Sequence, residues 1–439
     1  MGSDTKNLRT KTILIVQNKG NTFMITASVI NLGCKVNQYE TDRVAEALAA
    51  AGVNIVFGLV PADVYVLNTC AVTNEGERKS RNMLTKLTRL NPNCKIYVCG
   101  CASQNNPSNF NTHPNVKCVI GTTKGGQNLA EIICNNLGLK FDPCSSGNFK
   151  GRHTRFVLKC QDGCNNFCSY CLIPYLRGRE VSRPLSELKA EIDKMVKLGA
   201  KEIVLAGINL SSYGSDFKDG TSLLNVAKLF EGLPVRYRFS SLEVNIIDEP
   251  FIKYLSTQPN FCDHFHLSMQ SGCDDTLKKM NRHYTAAEYL GKVKLIRKYF
   301  KNAGITTDVI VGFPTELEEH FEQTYKTCVK ADFADMHVFA YSKRDGTVAA
   351  KFKNVATNVK ERAAKLGQLA NQQNTKFVTK NVGKVYPVIV EASKGEYLTG
   401  HTPNYIMCYF KGNYHTNDII NVKIIAPHPN GGAFALAVE

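Results

Sequence analysis

Alternation of strand-like and helix-like segments is the feature that most restricts how this chain can fold. From residue 25 onward, helical patterns, the first at about residues 39–51, separate the strand-like runs ITASVINLG, DVYVLNT and KIYVCG. Such alternation predicts a mainly parallel sheet, and parallel sheets bind ligands beyond the carboxyl ends of their strands. Cys34, Cys70 and Cys101 each follow one of these three runs. We call them the scattered triplet, and we expect the sheet to bring them together.

The alternation starts again after residues 147–154, a segment rich in Gly and basic residues that we interpret as a linker. Six further strands are predicted, with helical patterns such as LSELKAEIDKMVKLG between most of them, at 155–160, 202–208, 236–242, 264–270, 305–313 and 336–342. Six such units predict a complete or partial barrel, whose chemistry belongs at the carboxyl ends of its strands. Asn209, Glu243 and Gln270 are polar residues at those ends.

The last part of the chain has a different pattern. A polar helix at about 357–376 precedes the short runs VYPVIVEA, YIMCYF and NVKIIAPH, which Gly, Asn and Pro separate. This pattern predicts a small antiparallel β-barrel of the OB-like kind. The predicted fold is therefore α/β, with an open parallel sheet (24–146), a partial (β/α)6 barrel (147–372) and a small β-barrel (373–439). Residues 1–23 are treated as an extension outside the fold.

Sixteen cysteines are many for a chain of 439 residues, which is long enough to bury its cores without cross-links. No segment has the pattern of a secretory signal, so we expect a cytoplasmic, reducing environment in which thiolates bind metal. The longest apolar runs are much shorter than the ~20 residues that cross a bilayer, so no membrane association is expected.

A compact triplet, Cys164, Cys168 and Cys171, has the spacing C-x3-C-x2-C. Thiolates select zinc or iron–sulfur clusters. Zinc sites usually complete four ligands from short C-x2-C pairs, and no fourth Cys or His follows in this loop. Three thiolates on a four-iron cluster would leave one iron open to a substrate. Cys160 lies inside a strand-like run and is interpreted as a core residue.

The compact triplet, with Tyr170 before its last cysteine and at the end of the first barrel strand, resembles the radical S-adenosylmethionine superfamily. Six segments of this chain resemble the methylthiotransferase branch: QDGCNNFCSYCLIPYLRGREVSRP, AGINLSSYG, RFSSLE, HLSMQSGCDDTLKKMNRHY, DVIVGFPTE and FAYSKRDGTVAA. The resemblance implies a [4Fe–4S] cluster on Cys164, Cys168 and Cys171, whose open iron binds S-adenosylmethionine and whose electron generates a 5′-deoxyadenosyl radical. We interpret Asn209, Glu243 and Gln270 as candidate cofactor positioners; the alternative is ordinary polar residues of a barrel rim.

The scattered triplet gains meaning from its contexts. NLGCKVNQYET, NTCAVTNEGERKSR and VCGCASQ resemble the cluster-binding segments of the N-terminal methylthiotransferase domain. This implies a second [4Fe–4S] cluster on Cys34, Cys70 and Cys101, carrying the sulfur that a second S-adenosylmethionine methylates. Cys99 is an alternative to Cys101, but the family-like pattern Gly-Cys-x-x-Gln selects Cys101. The remaining cysteines are interpreted as packing residues or surface thiols.

The substrate is suggested by two segments. LGCKVNQYET resembles the threonylcarbamoyladenosine type of the branch, the MtaB-like group, and KVYPVIVEASKGEYLTGHTPNYIMC resembles the TRAM RNA-binding module. The net charge of +16 agrees with a polyanionic partner. Candidate phosphate-binding and base-stacking residues are Lys380, Lys384, Lys394, Lys411, Tyr397, Tyr405, Tyr409 and Tyr414.

The resemblance therefore implies an enzyme that adds a methylthio group to C2 of N6-threonylcarbamoyladenosine at position 37 of tRNA. Its expected partners are the tRNA anticodon loop, an electron donor such as flavodoxin or ferredoxin, and a sulfur donor, and we expect it to act as a monomer. The nearest alternatives are the same reaction on isopentenyladenosine-37 or on a ribosomal protein aspartate. An alternative of another class is a non-catalytic, zinc-containing RNA-binding protein.

Overall fold

The computed structural model describes residues 24–122, 127–142 and 154–438. The predicted extension at 1–23, and all of the predicted linker except Thr154, lie outside the described residues. No helix of the described ranges combines the length and the apolar character needed to cross a membrane.

The N-terminal part is the predicted parallel sheet, with strand order β2-β1-β3-β4-β5. The strands are β1 (Thr26–Asn31), β2 (Asn54–Phe57), β3 (Val64–Thr69), β4 (Lys95–Gly100) and β5 (Val116–Val119). The helices are α1 (Lys35–Ala50), α2 (Asn74–Leu90), α3 (Cys101–Asn105), α4 (Ser108–Asn111) and α5 (Gln127–Leu137). Every residue of the central strand β3 is buried, which explains its continuous apolar pattern. The edge strands β2 and β5 were not predicted, because each is a four-residue, partly exposed run.

Helix α1 begins at Lys35, before the predicted start near residue 39. Cys34 is its N-cap residue and makes no capping hydrogen bond through its side chain. The sequence therefore lacks the Ser, Thr, Asp or Asn that ordinarily signals a helix start. The earlier start places Cys34 at the helix terminus next to the strand ends.

The central part has the six predicted barrel strands, one of which is divided into β10 and β11, and a separate short pair, β7 and β8. Its strands are β6 (Phe156–Lys159), β7 (Gln161–Asp162), β8 (Val181–Ser182), β9 (Glu202–Ala206), β10 (Arg236–Phe239), β11 (Ser241–Leu242), β12 (His264–Leu267), β13 (Gly304–Val311) and β14 (Asp335–Ala340). They form a sheet β10-β9-β6 and a sheet β11-β12-β13-β14, all parallel, while β7 and β8 form a short antiparallel pair. The strand predicted at 236–242 breaks at Ser240, whose N–H donates to the Leu205 carbonyl. In the described residues β6 and β14 do not pair, so the predicted partial barrel is open on that side.

The same part of the chain contains eight of the described helices. They are α6 (Ile173–Arg177), α7 (Leu185–Lys197), α8 (Leu223–Lys228), α9 (Glu249–Ser256), α10 (Asp274–Lys279), α11 (Ala286–Tyr299), α12 (Glu318–Ala331) and α13 (Val359–Asn381), with 3-10 turns at Leu210–Ser212, Val244–Ile246 and Ala349–Lys351. The largest apolar core of the described chain lies here and includes Phe230, Tyr237 and Phe265.

The C-terminal part is a curled sheet of order β15-β19-β20-β18-β17-β16. Its strands are β15 (Val385–Ile389), β16 (Ala392–Lys394), β17 (Tyr397–His401), β18 (Met407–Phe410), β19 (Ile419–Pro427) and β20 (Ala433–Val438). The predicted antiparallel barrel needs one correction, since β18 and β20 pair in parallel. The predicted boundary at residue 372 falls inside α13 and stays a prediction. That helix bonds the barrel through Asn374, and its Asn381 accepts from Tyr386 of the C-terminal sheet.

Candidate functional site

The scattered triplet lies at one edge of the N-terminal sheet. Strands β1, β3 and β4 end side by side, with Asn31 opposite Asn68 and Thr69 opposite Gly100, and one cysteine follows closely after each strand. The pKa of the Cys101 thiol is raised to about 11. Burial is the largest cause, the thiols of Cys34 and Cys70 also raise the pKa, and Arg177 lowers it. The three thiols are thus close enough to interact, and the expected convergence is present in the fold.

Cys99, the alternative to Cys101, faces the other side of the sheet. Its side chain packs with Val66 and Tyr97 on the face covered by α1 and α5, whereas Cys101 packs on the face of α2. Burial raises the pKa of the Cys99 thiol; Glu40 raises it as well, and Arg177 lowers it. This placement favours Cys101 as the third member of the triplet.

The compact triplet lies in the loop between β7 and α6, and each of its sulfurs has a hydrogen-bond donor. The N–H of Asn166 donates to Cys164 Sγ at 3.5 Å, and that of Ile173 donates to Cys171 Sγ at 3.4 Å. Arg282 Nη1 donates to Cys168 Sγ at 3.4 Å. Donors of this kind stabilise thiolates and tune iron–sulfur clusters.

The compact thiols also interact with one another. Burial raises the pKa of Cys171 to about 12, and the neighbouring Cys168 and Cys164 thiols add to the effect. Cys160 does not join them, because it is fully buried in the barrel core, as predicted.

Both triplets fit iron–sulfur chemistry better than zinc chemistry. Within the described residues, no three His, Cys, Asp or Glu side chains are close enough together to bind a single metal ion. Three thiolates suit a [4Fe–4S] cluster, in which each thiolate binds a different iron. A tetrahedral zinc ion would require four ligands around one point. Cationic irons would also offset the burial and mutual repulsion that raise the pKa values of Cys101 and Cys171.

The three predicted cofactor positioners have different surroundings. Glu243 belongs to the network of the compact triplet, since its Oε1 accepts from Asn166 Nδ2 at 2.8 Å and from Arg282 Nη1 at 2.7 Å. Asn209 is buried, and its N–H donates to Gln161 Oε1. Gln270 has φ +64°, an uncommon value for a residue other than glycine. The cofactor contacts of all three stay predictions.

Two arginines that the sequence did not single out organise the site. The Arg177 side chain is 1% exposed and bonds Asn37, Glu40 and Asp162 at 2.9–3.1 Å. It therefore connects α1, which follows Cys34, to the strand that precedes Cys164. Arg282 connects Cys168 to Glu243. Both arginines lie inside segments that resemble the family, and this position is the signal by which the sequence could have indicated their importance.

The candidate RNA-binding residues fall into two groups. Tyr405 stacks between His264 and His401, with ring centroids 4.1 and 4.5 Å away, so its ring faces are not open to a base. Lys384 is also engaged, since it donates to Asn302 Oδ1 at 2.7 Å. An aromatic patch remains, in which Lys394 and Lys411 lie over the rings of Tyr409 and Tyr397 respectively; its rings are Tyr397, Tyr409, His428 and Phe434.

Comparisons with known families and structures agree with this architecture. Residues 158–328 match the Radical SAM superfamily, and residues 26–121 match the family described as Uncharacterized protein family UPF0004. A radical S-adenosylmethionine methyltransferase, TsrM from Kitasatospora setae, has a similar fold, with a TM-score of 0.52 and 14% identity over 72% of each chain.

Curated relatives extend over most of the chain. Threonylcarbamoyladenosine tRNA methylthiotransferase MtaB of Bacillus subtilis (strain 168) is 36% identical over 95% of this chain and 98% of the relative. The protein of the same name from Thermotoga maritima is 34% identical, covering 89% and 92%. A tRNA-2-methylthio-N(6)-dimethylallyladenosine synthase of Endomicrobium trichonymphae is 33% identical, covering 90% and 95%. The chain therefore belongs to the methylthiotransferase family of radical S-adenosylmethionine enzymes.

Proposed function

We propose that this enzyme adds a methylthio group to C2 of N6-threonylcarbamoyladenosine at position 37 of tRNA. The observation that carries the proposal is the presence of two separate three-thiol sites linked by one buried arginine. Arg177 influences the pKa of Cys101 in the scattered triplet and bonds Asp162, two residues before Cys164. Methylthiolation requires a carbon to be activated and a sulfur to be delivered at the same place, which suits two neighbouring cofactor sites.

The triplets would hold one cluster each. Cys164, Cys168 and Cys171 would hold the [4Fe–4S] cluster that binds S-adenosylmethionine, and Cys34, Cys70 and Cys101 would hold the sulfur-delivering cluster. When bound, these groups supply the radical and the methylthio group. The chain holds the ligands in place and donates hydrogen bonds to the sulfurs, and we assign to Asn209, Glu243 and Gln270 the positioning of S-adenosylmethionine.

The substrate nucleotide has to leave its stack to reach a site inside the barrel. An unpaired anticodon-loop base is easier to extrude than a paired one. The open side of the barrel is the proposed entrance, and Lys394 and Lys411 of the aromatic patch are the proposed contacts to the RNA backbone. We propose that the protein acts in the cytoplasm as a monomer, with an electron donor such as flavodoxin or ferredoxin and with a separate sulfur donor.

The same reaction on isopentenyladenosine is the second candidate, because a relative named for dimethylallyladenosine is nearly as similar as the MtaB relatives. The segments LGCKVNQYET and GHTPNY favour threonylcarbamoyladenosine. Purified, iron–sulfur-reconstituted protein can decide when it is given a mixture of two tRNAs, one with each modification. We expect the methylthio product on threonylcarbamoyladenosine alone. A product on isopentenyladenosine alone would refute the assignment, and zinc without iron or sulfide in anaerobically purified protein would refute the reaction class.

A further inference from the structure

A polar cavity of about 240 Å³ lies inside the barrel, next to the segment that carries Cys34. One of its walls is Lys35, which directly follows Cys34, and another is formed by Ser240 and Ser241, just before Glu243. The remaining lining residues are Arg155, Arg238, Phe239, His264, His266, Thr306, Asp308, Asp335, His337 and Tyr405. None of the described lining residues is Val, Leu, Ile or Met. A cavity without aliphatic walls suits a polar ligand.

Strand register explains why these polar side chains share one face. His266 pairs with Thr306, and Asp308 pairs with His337, so alternate residues of β12, β13 and β14 point to the same side of the sheet. His266 is fully engaged, with Nδ1 at 2.9 Å from Thr306 Oγ1 and Nε2 at 3.1 Å from Asp308 Oδ2. Arg155 and Arg238 are both paired with Glu202 behind the cavity. These groups build the wall and leave few donors free for a ligand.

Two cationic groups in the cavity remain available. Lys35 is exposed and makes no ion pair within the described ranges. His337 Nδ1 lies 3.3 Å from Asp308 Oδ1, and its Nε2 has no hydrogen-bond partner among the described side chains. The bond to Asp308 raises the pKa of His337, while Lys35 lowers it. The imidazolium that Asp308 favours would present Nε2–H as a donor.

Lys35 lines the same cavity as His337 and disfavours the protonated form of that imidazole, lowering its pKa. Asp308 and Asp335 are the acids of the same wall, and neither is within ion-pair distance of Lys35 in the described structure. A bound anion between Lys35 and His337 would relieve this repulsion.

We propose that Lys35 and His337 bind the carboxylate of the threonylcarbamoyl arm and so select that substrate. The inference rests on the proposed function and deepens it. Asp308 acts as a positioning residue that orients His337, while the Asp335 carboxylate offers an acceptor for the hydroxyl or urea N–H groups of the arm. An isopentenyl arm would desolvate these charges and give no hydrogen bond in return, so the cavity disfavours it.

Binding can be measured with the reconstituted holoprotein under anaerobic conditions by fluorescence anisotropy. The probes are three anticodon stem–loops that carry adenosine, N6-threonylcarbamoyladenosine or its methyl ester at position 37. We expect the acid to bind at least roughly tenfold more tightly than the ester, as one charge-assisted hydrogen bond allows. Lys35→Met and His337→Phe should each bring this ratio close to one.

Controls separate recognition from damage to the cluster. Lys35 neighbours Cys34, so the iron content of Lys35→Met is measured, and His337→Phe tests the same contact without touching that segment. Lys330→Met removes an exposed lysine of α12, outside the cavity, and should keep the acid-to-ester ratio.

Two outcomes would overturn the inference. One is a wild-type protein that binds acid and ester equally. The other is an equal loss of affinity for all three RNAs in the variants, which would mean that Lys35 and His337 bind a backbone phosphate. Failure of the proposed function would look different, because the wild-type protein would then leave threonylcarbamoyladenosine unmodified during turnover, whatever the variants do in the binding assay.

Discussion

Cys99 and Cys101 lie two positions apart but face opposite sides of the N-terminal sheet. Only Cys101 has the thiols of Cys34 and Cys70 among the groups that influence its pKa most. Cys101→Ala should therefore lower the iron content by about half and abolish methylthiolation while S-adenosylmethionine cleavage continues. Cys99→Ala is the matched control and should keep both. Iron analysis with a cleavage assay checks this, and equal loss of both activities in a folded Cys101→Ala protein would contradict two separate sites.

Arg282 places a positive charge next to Cys168 Sγ, at 3.4 Å. A cluster becomes more negative on reduction, so this charge and hydrogen bond should raise its reduction potential. Arg282→Met should lower the potential, and Arg282→Lys, which keeps the charge, should lower it less. A redox titration followed by electron paramagnetic resonance measures the shift. Identical potentials in all three proteins would show that Arg282 only supports the loop.

Cysteine spacing and strand ends predicted where both triplets lie, and the family-like contexts selected the members of the scattered triplet. Arg177 and Arg282 could not be predicted in the same way, because their partners are remote in sequence. Arg177 bonds Glu40 from 137 positions away, and Arg282 bonds Glu243 from 39 positions away. Local periodicity holds no information on such pairs, which only the packed fold creates.

At the scale of elements, an ion network joins the barrel to the C-terminal sheet. Glu391, just before β16, forms an ion pair with Arg155, just before β6, and a hydrogen bond with His401 of β17. Burial would raise the pKa of Glu391, but His401 and Arg155 hold it at about 2 instead of the ordinary 4.5. A depressed carboxyl pKa stabilises the fold above pH 4.5, and the stabilisation is lost as the pH falls toward 2.

Glu391→Gln should therefore lower the thermal midpoint at neutral pH, with a free-energy effect of up to about 3 kcal/mol. The gap between wild type and variant should narrow as the pH falls from 5 toward 2.5, because the wild-type carboxylate then becomes neutral. Differential scanning calorimetry of both proteins across this range measures the gap. A constant gap would mean that the charge of Glu391 does not contribute.

Most elements followed from the sequence pattern, and the errors have local causes. Helix α1 starts early because Cys34 is not a usual N-cap residue, and β2 and β5 are short edge strands with weak patterns. The boundary predicted at residue 372 falls inside α13, which bonds the barrel through Asn374 and the C-terminal sheet through Asn381. A change in composition indicates that the type of fold changes, but a single helix such as α13 can belong to both parts.

At the scale of the whole molecule, the net charge of +16 should act through specific lysines. Lys394 and Lys411 lie over rings of the aromatic patch, and the surface pair of Lys411 with Glu396 is easily exchanged for a phosphate. The double change of Lys394 and Lys411 to Ala should reduce the slope of log affinity for tRNA against log salt by about two. Fluorescence anisotropy at several salt concentrations measures the slope, and an unchanged slope would place the RNA on another surface.

The central claim is that two three-thiol sites cooperate to methylthiolate one tRNA nucleoside. Mass spectrometry of nucleosides from total tRNA of cells with the gene, without it and with a Cys101→Ala copy tests this most directly. We predict that the methylthio form of N6-threonylcarbamoyladenosine is present only with the intact gene and that its unmethylthiolated precursor accumulates in the other two strains. An unchanged level of that methylthio form, with loss of another modified nucleoside, would contradict the claim.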